Sequence, residues 1–315
     1  MTVTIHQGDC RNVLATLDDQ SVNCIVTSPP YFGLRDYDVA GQMGLEPTPD
    51  EFVAALVGVL REARRVLRDD GTLWLNLGDS YAGTGKSGGG AQGERWKEAG
   101  ADTVGPRGGK WKPAPEGLKQ KDLIGIPWRV ALALQADGWY LRQDIIWHKP
   151  NPMPESVRDR CTKSHEYIFL LSKSPSYYFD SVAMQEPVAA STAARLAQPT
   201  LADQTGSARV PGKTNGNMKA VGNGETRNRR SVWTVTTKPF KEAHFATFPP
   251  DLIEPCVLAG CPEDGTVLDP FFGAGTTGLV AQRTGRNAIG VELNPDYIQI
   301  AQRRLGLLPV MDIFA

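Results

Sequence analysis

The chain has 315 residues, a net charge of −1 and 41% hydrophobic residues, which suits one large globular domain or two modest ones. No apolar run reaches the ~20 residues that span a bilayer, and Met1 to His6 lacks the basic-then-apolar layout of a secretory leader. Five cysteines (Cys10, Cys24, Cys161, Cys256, Cys261) make no C-x-x-C pair and the four histidines are scattered, so a reduced, cytoplasmic protein without membrane contact or bound metal is expected.

Val3-Thr4-Ile5 reads as a short strand, Asn12 to Leu17 as a short helix and Val22 to Val26 as a buried strand. Gly33 to Gly44 is polar and turn-rich, a loop over whatever lies beyond that strand. Thr48-Pro49-Asp50-Glu51 is a helix start, with an N-cap Thr, Pro at the first position and Glu at the third. Phe52, Leu56, Val59, Leu60, Ala63 and Leu67 mark its apolar face, Gly71 its stop, and Thr72 to Leu77 the next strand, a βαβ unit in a largely parallel sheet. Residues 80–120 are Gly-rich and polar. Gly83 to Ser87 fails as a phosphate-binding loop, because the position five before Gly85 is Ser80 and no apolar helix follows.

The spacing predicts a helix from Asp122 to Ala136 with Leu123, Ile126, Val130 and Leu134 inward. Two strands follow, Tyr140 to Trp147 and His165 to Leu171, as antiparallel neighbours. Residues 205–241 carry eight Lys and Arg, among them Arg227, Arg229 and Arg230, against one acid, Glu225; such a segment suits phosphate contacts. Order returns at Phe240 to Phe248, ahead of a helix carrying Leu252, Ile253, Val257 and Leu258. Pro255-Cys256 falls inside that helix rather than at a strand end, so Cys256 is core and not a nucleophile. Asn294 to Leu305 closes the chain as a helix with Tyr297, Ile300 and Ala301 facing in.

Two stretches carry chemistry. At the end of the second strand stands Thr27-Ser28-Pro29-Pro30-Tyr31. Two prolines end ladder bonding and stiffen the chain. A Ser28 hydroxyl, the Pro29 carbonyl and the Tyr31 ring suit a flat base whose amine donates two hydrogen bonds. Late in the chain Thr266-Val267-Leu268 leads into Asp269-Pro270-Phe271-Phe272-Gly273-Ala274-Gly275-Thr276-Thr277-Gly278, then a helix to Gly285 and a strand ending at Glu292. The glycines also fit an NAD site. An acid before the turn would repel a pyrophosphate and welcome a cation such as S-adenosylmethionine, while Glu292 is placed for ribose hydroxyls.

Together the two stretches resemble the amino-group DNA methyltransferases of restriction-modification systems, in the motif order of that family's β group. The resemblance implies an α/β, Rossmann-like S-adenosylmethionine-dependent methyltransferase fold: a mostly parallel sheet with helices on both faces and a small irregular target recognition region. It implies a catalytic part at 1–179 with a flexible loop at 80–120, target recognition at 180–232 and a cofactor part at 233–315. Ser28, Pro29, Pro30 and Tyr31 would be catalytic. Asp269, Gly273, Gly275, Thr247, Phe248 and Pro249 would hold the methionine end of S-adenosyl-L-methionine, Glu292 its ribose and Asp9 its adenine amine, with Pro270, Phe271 and Thr276 also binding the cofactor. Arg227, Arg229, Arg230 and Lys149 would meet DNA, with His148 beside the base pocket. The Ser-Pro-Pro-Tyr form implies N4 of cytosine, with N6 of adenine as the alternative. It also implies double-stranded DNA, a restriction endonuclease of the same site and a second copy of the chain as partners. Outside this class stand a DNA-binding regulator without activity and an NAD oxidoreductase.

Overall fold

The computed structural model describes residues 1–34, 37, 39–83, 114–191, 194, 225–237 and 247–307. The predicted features at 84–113, 195–224 and 238–246, including Gly85 to Ser87, Arg209, Lys213, Lys219, Lys238 and Phe240, lie outside them. The chain divides into two compact units, Met1–Phe179 with Ser231–Ala315 and Asp180–Arg230.

The larger unit is built on eight strands: β1 (Val3–Gln7), β2 (Val22–Thr27), β3 (Leu67–Leu77), β4 (Tyr140–His148), β5 (His165–Ser172), β8 (Val232–Thr234), β9 (Thr266–Asp269) and β10 (Asn287–Glu292). Their order is β1-β10-β9-β2-β3-β5-β4-β8. Neighbours run parallel except at β5, which is antiparallel to β3 and to β4. Both predicted strands around residues 140–171 are therefore present and paired as expected. β8 was not legible, since three residues carry no period.

Helices α1 (Cys10–Leu14), α2 (Pro49–Val66) and α3 (Ile126–Ala136) cover one face of the sheet. Leu14, Phe52, Leu56, Leu60 and Val130 pack there on Ile25, Leu73, Leu75 and Phe169. Helices α4 (Pro250–Gly260), α5 (Thr276–Arg283) and α6 (Pro295–Arg304) cover the other. There Trp74 and Cys24 close on Gly260, and Phe272 packs on Ala301 and Leu305. The alternation of β2 and β3 between Ile25 or Leu73 on one side and Cys24 or Trp74 on the other is the period of two that a doubly covered strand requires.

Three local expectations are corrected. α1 begins at Cys10, because Asp9 accepts the Arg11 amide and caps it. α2 starts at Thr48 as predicted, but the chain turns into β3 at Leu67, four residues before Gly71. Arg68 to Gly71 form an irregularity in the β2–β3 ladder, where Val22 pairs with Leu67 and Cys24 with Thr72. α3 begins at Ile126, and Leu123 is exposed in a bridge to Tyr81. Its N-cap, Gly125, has no side chain; the Asp79 carboxylate at the end of β3 accepts the Gly125 and Ile126 amides at 3.0 and 3.2 Å instead.

Chain direction away from the centre reverses between β9 and β2: β9 leads through α5 to β10 on one side, β2 through α2 to β3 on the other. In an open α/β sheet the cleft outside the carboxyl ends of such a pair is where ligands bind. The smaller unit contains a two-stranded antiparallel ribbon, β6 (Gln185–Pro187) with β7 (Thr226–Asn228).

Candidate active site

The cleft at the reversal point holds about 170 Å³. Ser28 and Pro30 line it from the end of β2, and Asp269, Pro270, Phe271, Gly273 and Thr276 from the end of β9. Asp9, Thr247, Phe248 and Glu292 line it as well, whereas Pro29, Tyr31 and Pro249 do not. The two motifs, 242 positions apart, are joined directly: the Thr27 hydroxyl donates to Asp269 Oδ1 at 2.6 Å. Asp269 also accepts from the Thr277 hydroxyl at 2.6 Å and the Phe271 amide at 3.0 Å. It is buried, and burial pushes its carboxyl up to about 6 although all three hydrogen bonds pull it down.

The turn after Asp269 needs its glycines for different reasons. Gly273 has φ 52 and open space where a Cβ would stand, and its amide donates to Glu292 Oε2 at 2.7 Å. Gly275 has φ 77, and a Cβ there would meet Ala301 at 3.0 Å, so it serves the packing of α6 and does not line the cleft. Both phenylalanines line the cleft, and Phe272 is also a buried core ring against Gly290 and Gly278. Glu292 Oε1 accepts the Asn294 amide at 2.8 Å, and burial raises its carboxyl as well. Among the described residues neither Asp269 nor Glu292 meets a cationic side chain. A buried and a half-buried carboxylate on one cleft, with no cationic side chain on either, suit a positively charged ligand. Asp9 differs: the Arg11 guanidinium bonds it and holds it below the usual carboxylate range. Thr276 accepts from Arg304 Nη1 at 2.9 Å, and Pro249 is the N-cap residue of α4.

On the other side of the cleft the chain leaves the sheet at Ser28. Tyr31 lies over the backbone of Gly78, where a Cβ would come within 2.5 Å of its ring. Its hydroxyl donates to Glu166 Oε2 at 2.6 Å. Burial first, then the Glu166 charge, raise the phenol well above its ordinary value, so it stays a neutral donor. Lys149 is bonded to Glu166 Oε1, with its ammonium 4.2 Å from the centre of the Trp147 ring. His148 Nδ1 lies 3.1 Å from the Thr234 hydroxyl. Arg227 and Arg230 lie in the smaller unit at 2.9 and 3.5 Å from Glu186, and the Arg229 amide donates to the Met184 carbonyl.

Sequence reasoning missed several cleft residues. Tyr37 and Tyr297 meet edge to face at 6.4 Å and both line the cleft, together with Cys10, Gln42 and Asn294. Burial pushes the Cys10 thiol up to about 12, and Cys256 is buried in α4, so neither offers a thiolate nucleophile. Among the described residues no cluster of His, Cys, Asp and Glu could hold a metal, and no helix is long and apolar enough to cross a membrane.

A sequence profile described as DNA methylase matches residues 22–303. The chain is 49% identical over 302 residues to the Type II methyltransferase M.Cfr9I of Citrobacter freundii, covering 96% of this chain and 87% of that one. It is 46% identical over 298 residues to M.SmaI of Serratia marcescens, covering 95% and 89%. Among solved structures, PvuII DNA methyltransferase (cytosine-N4-specific) aligns over all of this chain and 88% of its own, with TM-score 0.63 and 18% identity. A putative DNA modification methylase of Thermus thermophilus, complexed with S-adenosyl-L-methionine, aligns over 99% and 98%, with TM-score 0.55 and 24% identity. Both likenesses are of fold.

Proposed function

The chain belongs to the DNA methylase family, and from that premise we propose that it methylates the exocyclic N4 amine of a cytosine rotated out of double-stranded DNA. Its cofactor is S-adenosyl-L-methionine, which supplies an electrophilic methyl group on a sulfonium. The observation that carries the reading is the Thr27–Asp269 hydrogen bond, which sets the Ser28-Pro29-Pro30-Tyr31 exit from β2 against the glycine turn of β9.

In this reading the buried Asp269 fixes the turn and gives the cleft its negative potential. Gly273 lets the backbone approach the methionine end, flanked by Pro270, Phe271, Thr276, Thr247, Phe248 and Pro249. Glu292 takes the ribose hydroxyls and Asp9 the adenine amine. On the base side, the Ser28 hydroxyl and the Pro29 carbonyl accept the two N–H bonds of the target amine. That turns the nitrogen lone pair out of conjugation and toward the methyl group, and Tyr31 supports the ring. The amine nitrogen would gain the methyl as the carbon–sulfur bond breaks to leave a neutral thioether, and would pass one proton to solvent, with no bond between protein and base. Catalysis is then chiefly orientation, after unstacking that costs a few kcal/mol. Arg227, Arg229 and Arg230 of the smaller unit, with Lys149, supply DNA contacts, and Asp180–Arg230 carries target recognition. A restriction endonuclease cutting the same sequence and a second copy of this chain complete the proposed partners.

Plasmid DNA incubated with the protein and cofactor, then digested to nucleosides and weighed, tests this. N4-methylcytosine is expected. N6-methyladenine would transfer the same geometry to the alternative base, and no methylated nucleoside would sink the proposal.

A further inference from the structure

We propose that Glu166 is a positioning residue for the methyl transfer: it fixes the Tyr31 ring, and with it Lys149, before the target base arrives. The inference deepens the base-side reading above and rests on it.

Tyr31 belongs to no strand. It follows two prolines after β2, and three contacts of its side chain bear on where the ring lies, one of them a hydrogen bond between its hydroxyl and Ser28. The backbone of Gly78 is a floor beneath the ring. A floor sets the plane but leaves the ring free to slide and turn on it. The hydrogen bond from the hydroxyl to Glu166 Oε2, 2.6 Å, pins the far tip and removes that freedom. Glu166 is itself held. Asn76 Nδ2 donates to the same carboxylate oxygen at 3.2 Å and to the Tyr167 carbonyl at 3.1 Å, and Lys149 occupies the other oxygen. The carboxylate thus ties the exit of β2 to β3, β4 and β5. It is 14% exposed and Lys149 20%, so the charge of each is compensated where water is scarce.

Such an arrangement has little value as a stabiliser, because a buried ion pair repays little beyond its own desolvation. It has value for geometry. Misplacing a reacting group by about 1 Å can cost ~100-fold in rate, and an aromatic ring supporting the base transmits its own tilt to the amine.

The test is single-turnover methylation of plasmid DNA with labelled cofactor at saturating concentrations, alongside cofactor affinity by titration. Tyr31→Phe removes only the hydroxyl. Glu166→Ala removes the acceptor and the charge, and Glu166→Gln keeps an acceptor oxygen for Tyr31. Tyr31→Phe and Glu166→Ala are each expected to slow transfer by about 10–100-fold with cofactor affinity unchanged. The double variant is expected to be slower by less than the product of the two single losses, since both remove the Tyr31–Glu166 hydrogen bond. Glu166→Gln is expected to recover most of the rate. A Tyr31→Phe variant that runs like the natural protein overturns the inference. So do losses that multiply in the double variant, and so does a Glu166→Gln variant as slow as Glu166→Ala. If Glu166→Ala does not fold, Tyr31→Phe against Glu166→Gln decides by the same criteria. A natural protein that methylates no DNA overturns the underlying reading, and a natural protein that does while Tyr31→Phe is unimpaired overturns only this one.

Discussion

Ser28 and Asp269 stand on opposite sides of one cleft and separate the two halves of the proposed reaction. Ser28→Ala removes one acceptor for the target amine, so turnover should fall by about 10–100-fold, an acceptor hydrogen bond in the reacting geometry, while cofactor affinity stays the same; loss of cofactor binding would refute the division. Asp269→Asn should do the reverse, weakening the cofactor at least tenfold in a titration. Its pH dependence has a definite sign. The folded carboxyl is raised to about 6, so the folded state holds the proton more tightly than the unfolded one. That preference stabilises the free protein fully below the unfolded value and is lost as pH rises through about 6. The charged group then costs on the order of 3 kcal/mol. The Asn variant should therefore show a flatter melting temperature between about pH 4 and 6, and tighter cofactor binding with rising pH should vanish in the same window. At this scale the sequence was legible where chemistry is written contiguously, at Ser28 to Tyr31 and Asp269 to Thr277. It did not place Tyr37 or Tyr297 in the cleft, nor Glu166 against the Tyr31 hydroxyl, because these residues come from separate elements and carry no local signal.

At the scale of elements, two glycines hold the motifs at their working distance. A Cβ at Gly290 on β10 would come within 2.3 Å of the Phe272 ring, so Gly290→Ala should cost about 1–3 kcal/mol by overpacking, measured by denaturant unfolding, and loosen the cofactor turn. Gly78→Ala would push on the Tyr31 ring instead, lowering turnover at unchanged cofactor affinity. Element identity was readable where period and caps agree, as in α2 with its Thr48 cap. Boundaries were not, because the deciding partner lies elsewhere in the fold. α3 starts where Asp79 reaches over from β3 to cap it, and α2 ends where Leu67 is captured by the ladder to Val22.

For the whole molecule, the division at Phe179 and Ser231 invites a direct cut. Replacing Asp180–Arg230 with a short Gly/Ser linker should leave cofactor affinity intact and abolish sequence selectivity in methylated plasmid read by sequencing; retained selectivity would move target recognition elsewhere. The mostly parallel, doubly covered sheet was legible from its alternating βα pattern. The short ribbon of β6 and β7 was not, since each strand has three residues.

The pairing of β2 with β9 also bears on how the chain is made. Everything up to Phe179 emerges from the ribosome before β9 exists, so one edge of β2, an apolar central strand, must wait without its neighbour. Such an edge is a template for association with other chains. A fragment ending at Phe179 should precipitate when expressed alone and be rescued by co-expression of 231–315, which makes the late segment an internal chaperone for the early one.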